Sequence, residues 1–190
     1  RAQANDAYWH GLFGGLYLPH LRRAVWRNLL ALEAGLDALA PRAGHAAADL
    51  DHDGLTEHAL TNDSVQLMIR DDGEGAAHEF TSYALRHNFG DTLRRHAEHY
   101  HRVAAQHPGQ TGKQADGIAS AHDRVAFRTA VTLADLTVDD TGRTLFADAL
   151  ARGDGIVTPL RAWTLAEAAA GRLALVHALD DGGVLRKTWK

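Results

Sequence analysis

The 190 residues contain no cysteine, so neither a disulfide framework nor a thiolate metal site is available and stability must come from packing. No apolar run reaches the roughly 18 to 20 residues that span a bilayer. The first residues lack the basic, apolar and small-residue succession of a signal peptide, which makes a soluble, cytoplasmic chain the expectation. The formal net charge of −4 supplies no basic face to neutralise phosphates, so nucleic acid is excluded as a partner. No repeat with a period of 20 to 50 residues is visible. An initiating methionine is also missing, and the chain stops at Lys190 within an apparent strand. Both features read as those of a fragment.

What is present is the balance of a globular protein, 45% hydrophobic and 23% charged, enough for one ordinary domain or for a helical element joined to a β-domain. From Pro19 onward Leu21, Val25, Leu29, Leu32, Leu36 and Leu39 recur at spacings of three and four, the stripe of one α-helix over 19–40. Arg22, Arg23 and Arg27 fall off that stripe, towards solvent or an acidic neighbour. Pro41 and Gly44 stop the helix. Beyond Gly44 short alternating runs take over: Val65, Leu67 and Ile69 on one strand face, a turn at Asp71-Asp72-Gly73, a strand from His78 to Tyr83, and another over Arg124 to Arg128. Leu173 to Leu179, Asp180 to Gly183 and Val184 to Trp189 form a hairpin pattern. The expectation is α+β, with a helical segment at 1–44 followed by an incomplete antiparallel β-sandwich at 45–190.

Three constellations carry chemistry. The first is the run Gln3 to His20, in which Asn5, Asp6, Tyr8, Trp9, His10 and Tyr17 surround Gly11, Gly14 and Gly15. Aromatic faces cover the C–H face of a pyranose, carboxylates and amides bond vicinal hydroxyls, and glycine admits close approach. The same composition also suits an aromatic lead-in to a core.

The order of these residues is more specific. Asn5-Asp6-Ala7-Tyr8-Trp9-His10-Gly11-Leu12-Phe13-Gly14-Gly15-Leu16-Tyr17-Leu18-Pro19-His20-Leu21-Arg22 resembles the last of the short regions shared by α-amylases and 4-α-glucanotransferases of glycoside hydrolase family 57. Asn62-Asp63-Ser64-Val65, Phe80 to His101 and His122-Asp123-Arg124 resemble the C-terminal β-domain of the same glucanotransferases. The resemblance implies that Asp6 bonds sugar hydroxyls, that Trp9 shapes the subsite nearest the cleaved bond, and that His10 is a weaker neighbour. Ala4 departs from a frequent cysteine, which touches packing. By the same resemblance the retaining mechanism uses a Glu nucleophile and an Asp acid/base on a catalytic barrel upstream, so neither is assigned here. A lone Asp6 cannot supply the two carboxylates about 5 Å apart that retention requires.

The second constellation is Asp49-Leu50-Asp51-His52-Asp53-Gly54-Leu55-Thr56-Glu57. Alternating carboxylates before a glycine can fold around a hard cation, so a calcium loop of Asp49, Asp51, Asp53, the Leu55 carbonyl and Glu57 is an expectation beside that of a plain acidic turn. Leu60 stands where an EF-hand needs its bidentate Glu, which excludes that motif. The third is His96, His99 and His101, close enough for zinc but with Glu98 as the one nearby carboxylate, and in a chain of 13 histidines clustering by chance is expected.

The leading expectation is therefore the non-catalytic C-terminal part of an enzyme acting on α-1,4-glucans, its partners a maltooligosaccharide and the missing barrel, with no membrane and no organic cofactor. A homodimer through the apolar helix stripe follows if the barrel is absent. The competing class is a stand-alone carbohydrate-binding β-sandwich, for which Tyr83, Tyr100, Trp163 and Trp189 are the available platforms. A ligand-free interaction protein is the third class.

Overall fold

The computed structural model describes residues 15, 17–42, 44–106 and 129–190. They form two compact units, one of 19–92 and 143–190, the other of the described residues within 15–18 and 93–142.

In the larger unit, helix α1 (Pro19–Leu39) starts at a proline, whose missing N–H has no intrahelical partner in a first turn. It is followed by β1 (His45–Ala48), β2 (Glu57–Thr61), β3 (Val65–Arg70), β4 (Ala77–Ser82) and β5 (His87–Asn88), an antiparallel meander in sequence order. Later strands add a two-stranded ribbon, β6 (Ala149–Ala151) with β7 (Val157–Pro159), and a three-stranded sheet of β8 (Thr164–Ala169), β9 (Arg172–Ala178) and β10 (Val184–Trp189), ordered β10-β9-β8. The expected hairpin at 173–189 is thus β9–β10, paired from Leu173 with Trp189 to Ala178 with Val184. The strand expected at 124–128 lies outside the described residues.

The two larger sheets share one core. Leu60, Leu67, Ile69 and Ala77 from the meander meet Trp163, Leu173 and Leu175, with Phe80, Leu145, Leu160, Leu185 and Trp189 packed around them. Leu67 and Ile69 are the inward side chains of β3, as alternation requires.

The expected stripe of the helix is covered only in part. Arg22, Val25 and Leu30 are buried, whereas Leu32, Leu36 and Leu39 are 59%, 55% and 85% exposed. The off-stripe arginines divide between the two expected settings: Arg22 is 6% exposed, with Nε 3.2 Å from the acidic neighbour Asp91 Oδ1, and Arg23 and Arg27 are exposed. In the second half of α1 the half-buried positions are Glu33 and Asp37, because Arg42 is there to meet them. Its guanidinium forks onto Asp37, Nε to Oδ1 at 2.7 Å and Nη2 to Oδ2 at 2.8 Å, while Nη1 donates to Gln66 Oε1 at 2.7 Å. Gln66 in turn donates to Glu79, which also accepts from Thr81, so the outward face of β3 and β4 is roofed by a satisfied polar network. Tyr83 hydrogen-bonds Arg42 at the edge of this network. Burial first, then the Glu33 carboxylate, push its hydroxyl up to about 12; burial raises Glu33 itself above the usual carboxylate range.

His45 on β1 and His58 on β2 stack at 5.4 Å with their planes 15° apart, and His45 Nε2 lies 3.1 Å from His58 Nδ1. One of these nitrogens must donate and the other accept, so the contact fails when both rings are charged. Burial first, then the His45 charge, lower His58 below its ordinary 6.5. The unfolded chain therefore binds a proton that the fold resists. Stability is complete above about pH 6.5 and is lost as pH falls through the lower folded value. The melting temperature should decline on acidification from about pH 7 to about pH 5, and the decline should be shallower in His58→Gln. Equal slopes for the two proteins would remove His58 as the cause.

Among the described residues no helix is long and apolar enough to cross a membrane.

Candidate functional site

Asp6, Trp9 and His10 lie outside the described residues. The motif they belong to enters view at Gly15, Tyr17 and Leu18, where Leu18 N–H bonds the Gly15 carbonyl and closes a turn into α1. Tyr17 is 41% exposed, and its hydroxyl donates to the Glu98 carboxylate. Glu98 and the residues after it are not strand but the approach to helix α2 (His99–Gln106). His101 Nδ1 accepts from the Glu98 backbone N–H at 2.9 Å, which leaves the proton of the neutral ring on Nε2. A pocket of about 210 Å³ opens beside these groups, lined among others by Tyr17, Arg94, Arg95, His96, Glu98 and Asp135. Sequence order exposed Tyr17 as part of the motif; nothing in the sequence paired it with a residue 81 positions away.

The acidic loop is partly assembled. Asp49, Asp51 and Glu57 each present an oxygen, all within 4.8 Å of one another, the one group of three or more metal-type ligands among the described residues. His96 and His101 belong to no such group. Asp53 instead pairs with Arg70, whose guanidinium also lies 3.9 Å from Asp51 and 3.7 Å from Glu57. The loop is braced by its own backbone: Asp53 and Gly54 N–H donate to the Asp49 carboxylate at 3.1 and 3.0 Å, and Leu50 N–H to Glu57 at 2.7 Å. The Leu55 N–H bonds Asp53. A cation here would take Asp49, Asp51 and Glu57 against the repulsion of Arg70.

A third feature is a cavity of about 490 Å³ between the sheets of the larger unit, walled by Leu60, Leu67, Phe80, Phe146 and Trp189, with Asn62, Asp148 and Lys187 at its edge. Lys187 Nζ is 4.9 Å from the Trp189 ring centre and 2.5 Å from Asp148. Of the expected aromatic platforms Trp163 is spoken for: it is 5% exposed and part of the core.

Residues 49–169, from the acidic loop to the end of β8, match the family model described as "Alpha-amylase/4-alpha-glucanotransferase, C-terminal". This chain belongs to that family. The model for the middle domain of the same family matches residues 1–36, the motif and most of α1. Over 123 residues the chain is 42% identical to an alpha-amylase of Pyrococcus furiosus, an alignment taking in 65% of this chain and 17% of the relative. Over 124 residues it is 41% identical to a 4-alpha-glucanotransferase of Thermococcus kodakarensis, with 65% and 18% covered. The chain therefore spans less than a fifth of the curated relatives it matches. The solved 4-alpha-glucanotransferase from Thermococcus litoralis shares the fold over 98% of this chain and 30% of its own, with a TM-score of 0.65 at 24% identity. The α+β arrangement of a helix followed by antiparallel sheets is thus the arrangement of this family's middle and C-terminal regions.

Proposed function

We propose that this chain is the non-catalytic C-terminal part of an enzyme that acts on α-1,4-glucans, starch-type polymers among them, by a retaining mechanism, in the cytoplasm. In this reading Asp6, Trp9 and His10 contribute to the glucan site, and the catalytic carboxylates belong to a barrel outside these residues. The observation that carries it is the succession of matches, middle domain over 1–36 and C-terminal region over 49–169, within one continuous chain. Asp6 as a single acid beside Trp9 suits orientation of a sugar rather than a double displacement. Assayed alone, the polypeptide should bind maltoheptaose without hydrolysing or disproportionating it. Turnover abolished by Asp6→Asn would defeat the proposal.

The alternative, a β-sandwich that binds carbohydrate by itself, draws support from the aromatic cavity of Phe80, Phe146 and Trp189. Locating a soaked maltooligosaccharide separates the two, since one places it beside Trp9 and the other beside Trp189. Two finer proposals accompany the first reading. Calcium in the Asp49 loop would raise the melting temperature, by about 2.7 kcal/mol of stability at a hundredfold excess over Kd, and a chelator would reverse it. A homodimer would use the exposed Leu32, Leu36 and Leu39, and light scattering reads its mass.

A further inference from the structure

In the larger unit the ribbon of β6 and β7 leaves apolar side chains uncovered, and the cavity beside it leaves an apolar space unfilled. A hairpin of two strands alone is marginal in water and gains stability from a further strand or a helix packed on it. Here all six strand residues are exposed, so neither face is covered. Leu150 pairs with Thr158, and the Arg152 N–H bonds the Ile156 carbonyl at 2.9 Å. Alternation therefore puts Leu150 and Ile156 diagonally on one face, 40% and 57% exposed. The turn between the strands is well held: Gly155 N–H bonds the Arg152 carbonyl at 2.9 Å and Ile156 N–H the Asp154 carboxylate at 3.0 Å. An ordered arm thus offers an aliphatic face to solvent.

The cavity is its counterpart. Protein interiors hold few voids larger than one water, about 30 Å³, yet about 490 Å³ stands open between Leu60, Val65, Leu67, Phe80 and Trp189. Phe146, which also lines it, is 52% exposed and holds a left-handed φ of +58°, a conformation that a bulky residue keeps only under constraint from its surroundings. Lys187 fastens it there, donating to the Phe146 and Gly75 carbonyls and to Asp148. The chain's own arm does not fill the space: β6 starts one residue after Asp148 of the rim, and its side chains are exposed. A second copy related by a two-fold axis brings the same arm and the same cavity, so one contact made twice closes a dimer. The charges agree, since the cavity edge carries Asp148 and Lys190 and the arm's turn carries Arg152 and Asp154. Two arms of eleven residues, each covering an equal area of the partner, bury on the order of 1,600 Å² in total, which is the size of a standard stable interface.

We propose that this chain forms a two-fold dimer by reciprocal exchange of the arm 149–159, with Leu150 and Ile156 of each copy seated in the apolar cavity of the other. The surface is separate from the exposed end of α1, and the proposal does not depend on the glucan reading. Burial of the two aliphatic side chains drives the association. The charged residues at the turn and the rim set its orientation more than its strength.

Sedimentation equilibrium of the whole chain over a wide range of concentration reads the mass and the dimer Kd. Ile156→Asp places a charge on a residue that is exposed in the single chain, so the circular dichroism spectrum should stay that of the wild type while the dimer Kd rises about a hundredfold. Leu36→Asp, on the exposed end of α1, should leave Kd unchanged. Because the chain has no cysteine, a mixture of Ile156→Cys and Thr188→Cys copies, oxidised with glutathione disulfide, should form a disulfide between unlike copies. Thr188 lines the cavity and is exposed. A mixture of Leu36→Cys and Thr188→Cys copies should not link. A wild type that stays monomeric throughout overturns the proposal, and so does a dimer that Leu36→Asp dissolves and Ile156→Asp does not. A monomer that holds maltoheptaose beside Trp189 gives the cavity to sugar and overturns it as well.

Discussion

Gly75→Ala should destabilise the larger unit by about 2 to 5 kcal/mol, the sum of two penalties with separate causes. Gly75 has φ +62°, in the left-handed region where a Cβ meets its own carbonyl and costs about 1 to 2 kcal/mol. The same Cβ would lie 2.3 Å from Trp163 Cδ1 and 2.5 Å from Cγ, far inside van der Waals contact. Trp163 has nowhere to retreat: it is 5% exposed, next to Leu173 and Ala77, both fully buried. Overpacking of this kind costs about 1 to 3 kcal/mol. Gly182 separates the two terms, because its φ of +85° is equally left-handed while nothing lies within 4 Å of its Cβ position. Gly182→Ala should therefore lose only the conformational part. With about 2 to 4 °C per kcal/mol for a chain of this size, thermal melts of the two variants should differ by several degrees. Equal losses would mean that Trp163 moves aside and the core is looser than its burial implies.

Local pattern was legible where one periodicity governs one element. The three-and-four spacing over 19–40 gave α1 nearly to the residue, and alternation around Asp180-Asp181-Gly182-Gly183 gave the β9–β10 hairpin, because both depend on neighbours within a turn or two. The rotation of α1 was not legible. Leucine spacing alone points Leu32, Leu36 and Leu39 inward, but Arg42, Gln66 and Tyr83 stand at that end, and Glu33 and Asp37 answer them. Their meeting depends on contacts up to 50 positions apart, which no window along the chain contains. The acidic loop failed in the same manner for one ligand. Spacing brings Asp49 and Asp51 to Glu57, while Arg70, its strand register set by pairing with Glu57, takes Asp53 away. For the candidate site, residue order carried the family, since the run Asn5 to Arg22 lies within the residues that match its middle-domain model. The Tyr17–Glu98 partnership needed the fold.

Trp9→Ala, in a longer polypeptide that includes the catalytic barrel, should lower kcat/KM by about a hundredfold while shifting the melting temperature little. The reasoning starts from position: Trp9 lies between Asp6 and the glycines at 11, 14 and 15, outside the stripe through which α1 is covered. An aromatic surface lost from a sugar subsite weakens binding of the transition state, and a hundredfold corresponds to about 2.7 kcal/mol at 1.36 kcal/mol per decade. A core tryptophan behaves in the opposite way, since truncation to Ala costs about 3 to 5 kcal/mol of folding free energy and activity falls only with the folded fraction. Substrate length sharpens the distinction. If the ring contacts the glucan near the cleaved bond, the loss should appear with short maltooligosaccharides as well as long ones and should fall on kcat as well as KM, because binding there is used in the transition state. A loss confined to long substrates would move Trp9 to a distant subsite. A large melting shift with normal specific activity in the folded fraction would return it to the core and leave Asp6 alone to represent the motif.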